Sequence, residues 1–119
     1  MPIAHFADTV DNYTNVAEDD PIRQTKQYAF SPISLVANAA HCPPIRLYTT
    51  DLDTVPHQQA EEMRDVLETY FPTADIQEYT MSGNLHCFNY WHTLNDKSVP
   101  NECVSKQVID FLDAHKNDP

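Results

Sequence analysis

Gly83 is the only glycine in a chain of 119 residues, although glycine makes up about 7% of an average globular protein. Several common site motifs need two or more glycines at fixed spacing. They include the GxGxxG dinucleotide loop, the GxxxxGK[ST] phosphate loop and the GxSxG turn that presents a nucleophilic serine. A chain with one glycine cannot contain any of them. The sequence therefore excludes these three kinds of site.

The charge of the chain limits its partners. It has 7 Lys and Arg against 18 Asp and Glu, a net charge of −11, yet its 41% hydrophobic content is that of a folded protein. Such a charge repels nucleic acid phosphates and anionic lipid headgroups, so we expect neither partner. No apolar run approaches the ~20 residues of a membrane-spanning helix, and Met1–Asp20 lacks the pattern of an export signal. We expect a soluble, cytoplasmic protein.

Cysteine and histidine spacing gives no metal signature. Cys42, Cys87 and Cys103 form no CxxC pair, and no HExxH pattern is present, so we expect reduced, packed thiols without metal or cofactor. A metal held by His86, His92 and an acid is kept as an alternative. Metal analysis of the purified protein would test it.

The chain divides into an N-terminal segment, residues 1–20, and one domain, residues 21–119. Met1–Asp20 has apolar residues at helical spacing among many acids, which fits a helix or an irregular arm. Asp20-Pro21 and Ser31-Pro32 are helix-start signals and predict short helices over Ile22–Ala29 and Ile33–Ala40.

From Pro44 onward the pattern predicts strand, helix, strand and helix. The segments are strand Ile45–Thr50, a helix from Val55 to Phe71, strand Ala74–Met81, an aromatic-rich loop Ser82–Asp96 and helix Glu102–His115. A helical crossover implies two parallel strands in a right-handed βαβ unit, which is an α/β fold with flanking helices. Parallel sheets are normally wider. We expect the N-terminal segment, a second copy or another polypeptide to cover the missing edge.

Several segments carry a family resemblance. They are SPISLV followed by PP, strand IRLYTT, the D-x-VP-x-x-Q pattern of Asp53–Gln59, the stretch SGNLHCFNYWH and the terminal VIDFLDAH helix. Together, from about Asp20 to Lys116, they resemble the C-terminal part of an α/β-hydrolase of the esterase, lipase and peptidase type. The resemblance implies a partial α/β-hydrolase-like unit with carboxylic ester hydrolase chemistry. It also implies a triad acid after the first strand and a triad histidine after the second.

The resemblance implies His86 as the catalytic histidine, in a Gly-x-x-His-x-Phe setting, and Asp53 as the acid, with Asp51 as the alternative acid. The chemistry supports such a pair independently. A carboxylate that accepts the Nδ1–H of an imidazole fixes its tautomer and leaves Nε2 free to act as a base. The simpler interpretation of Asp53 is that it caps the helix that follows.

The family's nucleophile lies in an N-terminal part that this resemblance does not cover. The available hydroxyls do not sit at a glycine-flanked turn between strand and helix; they belong to Ser31, Ser34, Ser82, Ser98 and Ser105. We therefore expect ester hydrolysis only if another chain supplies the nucleophile. The alternative is a non-catalytic, hydrolase-derived module that self-associates to complete its sheet. The expected partner is thus a second copy or a complementary hydrolase half.

Two expectations concern the neighbours of His86. Adjacent side chains rarely meet in the geometry of a nucleophile and its base, so Cys87 is expected to point away from the histidine or to pack. The aromatic residues Phe88, Tyr90 and Trp91 are expected in the core or in an interface rather than around a substrate.

Overall fold

The computed structural model describes residue 22, residues 28–29 and residues 31–119. The predicted arm, most of the first predicted helix and the predicted boundary after residue 20 lie outside this part of the chain. The elements that follow Ser31 are a 3₁₀ helix Pro32–Asn38, strand β1 Ile45–Thr50, helix α1 Gln58–Tyr70, strand β2 Ile76–Met81, a second 3₁₀ helix Cys87–Tyr90 and helix α2 Val104–His115.

The two strands form a parallel sheet in which Ile45 lies opposite Ile76 and Thr50 opposite Met81. The connection between them contains α1. The prediction of a mixed α/β fold built on a two-stranded parallel sheet is confirmed. Because the strands run in the same direction, their carboxyl ends meet at one edge, where the loops after β1 and β2 are neighbours.

One face of the sheet packs against α1 and the first 3₁₀ helix. Val36, Leu67 and Ile76 form the buried cluster there, one residue from each of three elements. Ion pairing adds to this contact, since Arg64 of α1 binds Glu78 of β2 at 3.1 Å. The Glu78 side chain is only 6% exposed, so the arginine supplies the charge partner that a buried carboxylate needs.

The opposite face packs against α2 and the second 3₁₀ helix. Tyr48, Met81, Tyr90 and Val104 form the buried cluster on this side. Residues alternate between the two faces along a strand, so Tyr48 and Met81 point away from the α1 side. Helices therefore cover both faces, which is the arrangement that parallel strands require.

Arg46 joins the start of the sheet to α2. Its guanidinium lies 4.7 Å from the centre of the Phe111 ring and makes two 2.9 Å hydrogen bonds to the Asp75 carboxylate. Those hydrogen bonds hold the pKa of Asp75 below its ordinary value. The Arg46 guanidinium thus links Asp75, just before β2, to Phe111 of α2.

The structure differs from the predicted elements mainly at their ends. The segment predicted as a helix over Ile33–Ala40 is a 3₁₀ helix, Pro32–Asn38. Its buried residues Ile33 and Val36 are three apart, and residues at that spacing share one side of a 3₁₀ helix. Strand β2 and helix α2 begin later than predicted, at Ile76 and at Val104. In the described part of the chain, no helix combines the length and apolarity needed to cross a membrane.

Candidate active site

Backbone hydrogen bonds fasten the loop after β1 to the loop after β2. The amide of Asp51 donates to Met81 O at 2.9 Å, and the amide of Leu52 donates to Gly83 O at 2.8 Å. In return, Gly83 N donates to Asp51 Oδ1 at 2.9 Å. Gly83 has φ +127°, a conformation that residues with a side chain rarely adopt, so the chain's single glycine stands where the turn requires it.

A side-chain hydrogen bond positions the segment that carries the histidine. The buried Thr50 hydroxyl, at the end of β1, donates to Leu85 O at 2.6 Å. Leu85 precedes His86, so this contact brings the histidine towards the loop after β1. The β-branched residue that ends the first strand therefore helps to set where His86 lies.

Asp53 and His86 are in direct contact. His86 Nδ1 lies 2.8 Å from Asp53 Oδ1 and 3.0 Å from Asp53 Oδ2. The aspartate side chain is 0% exposed, whereas that of the histidine is 43% exposed. Asp53 Oδ1 also accepts the amide hydrogen of Val55 at 2.9 Å. The carboxylate is thus buried and held on two sides, while the imidazole reaches solvent.

The geometry separates the two candidate acids. Asp53 contacts the histidine, while Asp51 is exposed and binds the amide of Gly83. Asp53 also accepts the Val55 amide in an Asx-type turn before α1, but it does not cap the helix, whose N-cap is His57 without a side-chain cap hydrogen bond, so the simpler capping interpretation is wrong. An ionised carboxylate only accepts hydrogen bonds, so contact with one favours the His86 tautomer that carries its proton on Nδ1 and leaves Nε2 as an acceptor.

Cys87 meets His86, which makes the expectation that it points away wrong. Its sulfur lies 3.1 Å from His86 Nε2. The expectation assumed an ordinary backbone, in which neighbouring side chains diverge, but Cys87 has φ +49°. In this left-handed conformation the chain turns back, so the sulfur faces the ring of the preceding residue. The sequence does not predict this conformation, because residues in the left-handed region are usually glycine, asparagine or aspartate and position 87 is a cysteine.

Three of the five serine hydroxyls that the sequence offers have contacts away from His86. The hydroxyl of Ser34 donates to Ser31 O at 2.8 Å, and that of Ser98 donates to Pro100 O at 2.9 Å. Ser105 Oγ lies 3.1 Å from Cys103 Sγ. The contact of His86 Nε2 is with the Cys87 sulfur, at 3.1 Å.

An apolar cavity of about 210 Å³ opens beside the cysteine. Seven side chains line it, which are Tyr48, Cys87, Phe88, Tyr90, Trp91, Val104 and Val108. Tyr90 is in the core as expected, whereas Phe88 is 85% exposed and lines this cavity with Trp91, and the expected place of these two residues in an interface stays a prediction. A larger cavity of about 390 Å³, between the first 3₁₀ helix and α1, has none of Asp53, His86 and Cys87 in its wall, whereas the smaller cavity has Cys87 but neither Asp53 nor His86.

Tyr90 closes the inner side of this cavity. Its hydroxyl donates to Tyr48 O at 2.9 Å. Burial, followed by the nearby Cys87 and Asp53, raises the pKa of Tyr90 to about 12. The phenol therefore stays neutral at ordinary pH and serves as a donor to the backbone of β1.

The metal alternative has no ligand set in the described residues. Among residues 22, 28–29 and 31–119, no group of three or more His, Cys, Asp or Glu side chains is placed to hold a metal ion. His92, named as a possible ligand, is an exposed residue after the second 3₁₀ helix.

Comparison of the chain with protein-family models, with curated proteins and with solved structures gave no match in any of the three. The interpretation of the site therefore depends on its own geometry.

Proposed function

We propose that the chain carries the acid and the general base of a site that hydrolyses carboxylic esters. Asp53 holds the imidazole, and His86 Nε2 accepts the proton of the attacking group. The observation that carries this proposal is the Asp53–His86 contact of 2.8 Å, made by a carboxylate whose side chain is 0% exposed. The resemblance to the C-terminal part of α/β-hydrolases is consistent with it and implies that the attacking hydroxyl comes from a serine on a complementary polypeptide.

The environment of the pair suits proton transfer. Burial of Asp53 removes competing water from the carboxylate, which strengthens its attraction for the imidazolium that forms when Nε2 takes a proton. The His86 side chain is 43% exposed, so a reacting group can approach the ring from solvent. Both residues follow the carboxyl ends of parallel strands, where ligands of open α/β sheets bind.

Replacement of His86 by alanine tests the general base. Because p-nitrophenyl butyrate is an activated ester, His86 can promote attack by water without a complementary polypeptide. We therefore expect the chain to hydrolyse it above the buffer rate and His86→Ala to lower this excess rate by a factor of about 10² to 10⁴. His92→Ala is the matched control, because His92 is exposed in the same segment. Release of nitrophenolate measures both. Equal rates for the two variants, or a wild-type rate equal to that of buffer, would contradict the proposal.

A self-associating module is the second candidate function. Its support is the narrow sheet, in which each strand pairs only with the other among the described residues, together with the exposed Phe88 and Leu52 at 85% and 70%. Apolar surface of this kind is typical of interfaces between copies.

We expect light scattering to give the mass of a dimer at micromolar concentration, and Phe88→Ser to shift the protein towards the monomer. Thr54→Ser, an exposed substitution near the same edge, serves as the control. A wild-type monomer at every concentration tested would exclude this candidate.

A further inference from the structure

Cys87 occupies the position in which an attacking atom would stand relative to the base. Its sulfur is 3.1 Å from His86 Nε2, and His86 Nδ1 is 2.8 Å from Asp53 Oδ1. A thiol, an imidazole and a carboxylate therefore follow one another in hydrogen-bond contact, which is the order of nucleophile, base and orienting acid in thiol hydrolases. The contact was not expected from the sequence, and it requires no second polypeptide.

We propose that Cys87 is the nucleophile of this site and that it takes the acyl group of a small, uncharged, apolar carboxylic ester as a thioester. The proposal rests on the assignment of His86 as the general base and goes beyond it by naming the attacking atom and the substrate class. In this proposal the attacking group is the Cys87 thiol of the chain itself and not a serine hydroxyl of a complementary polypeptide.

The cavity beside the sulfur defines the acyl group. At about 210 Å³ it exceeds the roughly 150 Å³ of an apolar cavity that admits benzene, and it is smaller than the roughly 300 Å³ at which sites for drug-sized ligands begin. Its wall is aromatic and aliphatic, with the Tyr90 hydroxyl already donating to backbone. A phenyl group or a short alkyl chain fits this space. The net charge of −11 disfavours anionic substrates.

The reaction balances with water as the only co-reactant. The sulfur attacks the ester carbonyl and forms a carbon–sulfur bond while its proton passes to His86 Nε2. The carbon–oxygen bond then breaks, and the alcohol leaves with that proton. Water next attacks the thioester carbonyl and gives a proton to Nε2. The carbon–sulfur bond breaks, the carboxylic acid departs, and the proton returns to the sulfur.

The other two thiols of the chain serve as internal controls. Burial raises the pKa of Cys42, and a hydrogen bond with Ser105 lowers the pKa of Cys103. Cys103 is therefore the stringent control, since a lowered pKa favours its thiolate without a histidine beside it. Selective acylation of Cys87 over Cys103 would require the His86 contact.

The test is acyl transfer from p-nitrophenyl butyrate to the whole chain, followed by acid quench, intact mass measurement and peptide mapping. We expect one butyryl group per chain, attached to Cys87, forming at least about 10-fold faster than any adduct on Cys42 or Cys103. Cys87→Ser should abolish the adduct, His86→Ala should slow it by about 100-fold or more, and His92→Ala should leave it unchanged. Val108→Phe, which fills part of the cavity, should slow butyryl transfer more than acetyl transfer.

The outcomes separate this inference from the proposed function. If Cys87→Ala and Cys87→Ser retain full ester turnover while His86→Ala loses it, Cys87 is not the nucleophile and the base assignment stands. An adduct that forms on another residue as fast as on Cys87 overturns the inference in the same way. If His86→Ala turns over ester as fast as His92→Ala, the base assignment fails and the inference fails with it. Circular dichroism of each variant shows whether the fold is retained.

Discussion

Asp53→Asn is expected to lower ester turnover by a factor of about 10² to 10⁴ while the chain stays folded. The amide keeps the size of the carboxylate and one oxygen, so the contact with the Val55 amide at 2.9 Å can persist. It also places N–H groups where an oxygen lay 3.0 Å from His86 Nδ1. The retained oxygen still lies 2.8 Å from Nδ1, but the new N–H groups favour the ring tautomer with its proton on Nε2, which cannot accept a proton from a nucleophile, and the lost negative charge no longer stabilises the imidazolium.

Asp51→Asn is the matched control for this change. Asp51 lies two residues away in the same loop, is exposed and accepts a hydrogen bond from Gly83 N rather than from the histidine. Nitrogen-15 shifts of the His86 ring report its tautomer without reference to activity. We expect the Nε2–H form in Asp53→Asn and the Nδ1–H form in the wild type and in Asp51→Asn. The assigned role of Asp53 would be wrong if both variants kept the wild-type tautomer and rate.

Leu67→Ala is expected to lower the free energy of unfolding by about 2 to 5 kcal/mol. Leu67 is 5% exposed and contacts Val36 and Ile76, so truncation removes apolar contacts from three elements at once and leaves a cavity. Domains of this size are stable by only about 5 to 15 kcal/mol. The change is therefore a large part of the total stability.

Leu112→Ala gives the comparison for the same residue type in a helix. Leu112 is 60% exposed on α2, and we expect its truncation to change stability by no more than about 0.5 kcal/mol. Urea unfolding of both variants, followed by circular dichroism, measures the difference. Equal losses would mean that the packing of α1 on β2 does not carry the stability that its burial implies.

The elements could be predicted because their signals are local. The β-branched and aromatic residues of Ile45–Thr50 lie between Pro-Pro and Asp51, and the structure places β1 at the same residues. Apolar residues at helical spacing identified α1, and the strand–helix–strand order predicted parallel pairing. Two parallel strands place the loops that follow them side by side at one edge of the sheet. The topology therefore predicted that Asp53 and His86 lie close together.

The details of the site depend on contacts between distant parts of the chain. Asp51 and Asp53 are both acids in one short loop, and although the resemblance favoured Asp53, spacing alone left both open; in the structure Asp53 N is bonded to Thr50 O and the Asp53 side chain faces the ring. The left-handed conformation of Cys87 has no marker in its residue type. The cavity combines Tyr48 with Val108, which are far apart in sequence. Pattern and spacing describe neighbours along the chain, so they could not give these three features.

The Asp53 carboxylate binds the His86 ring and, in the segment that leads into α1, the Val55 amide and the Thr54 hydroxyl. Local opening of that segment would release the oxygen that orients the ring, so transient unfolding before α1 and loss of the correctly oriented base are one event. The working lifetime of the site is then set by how often this short segment opens, and not by the global stability of the domain.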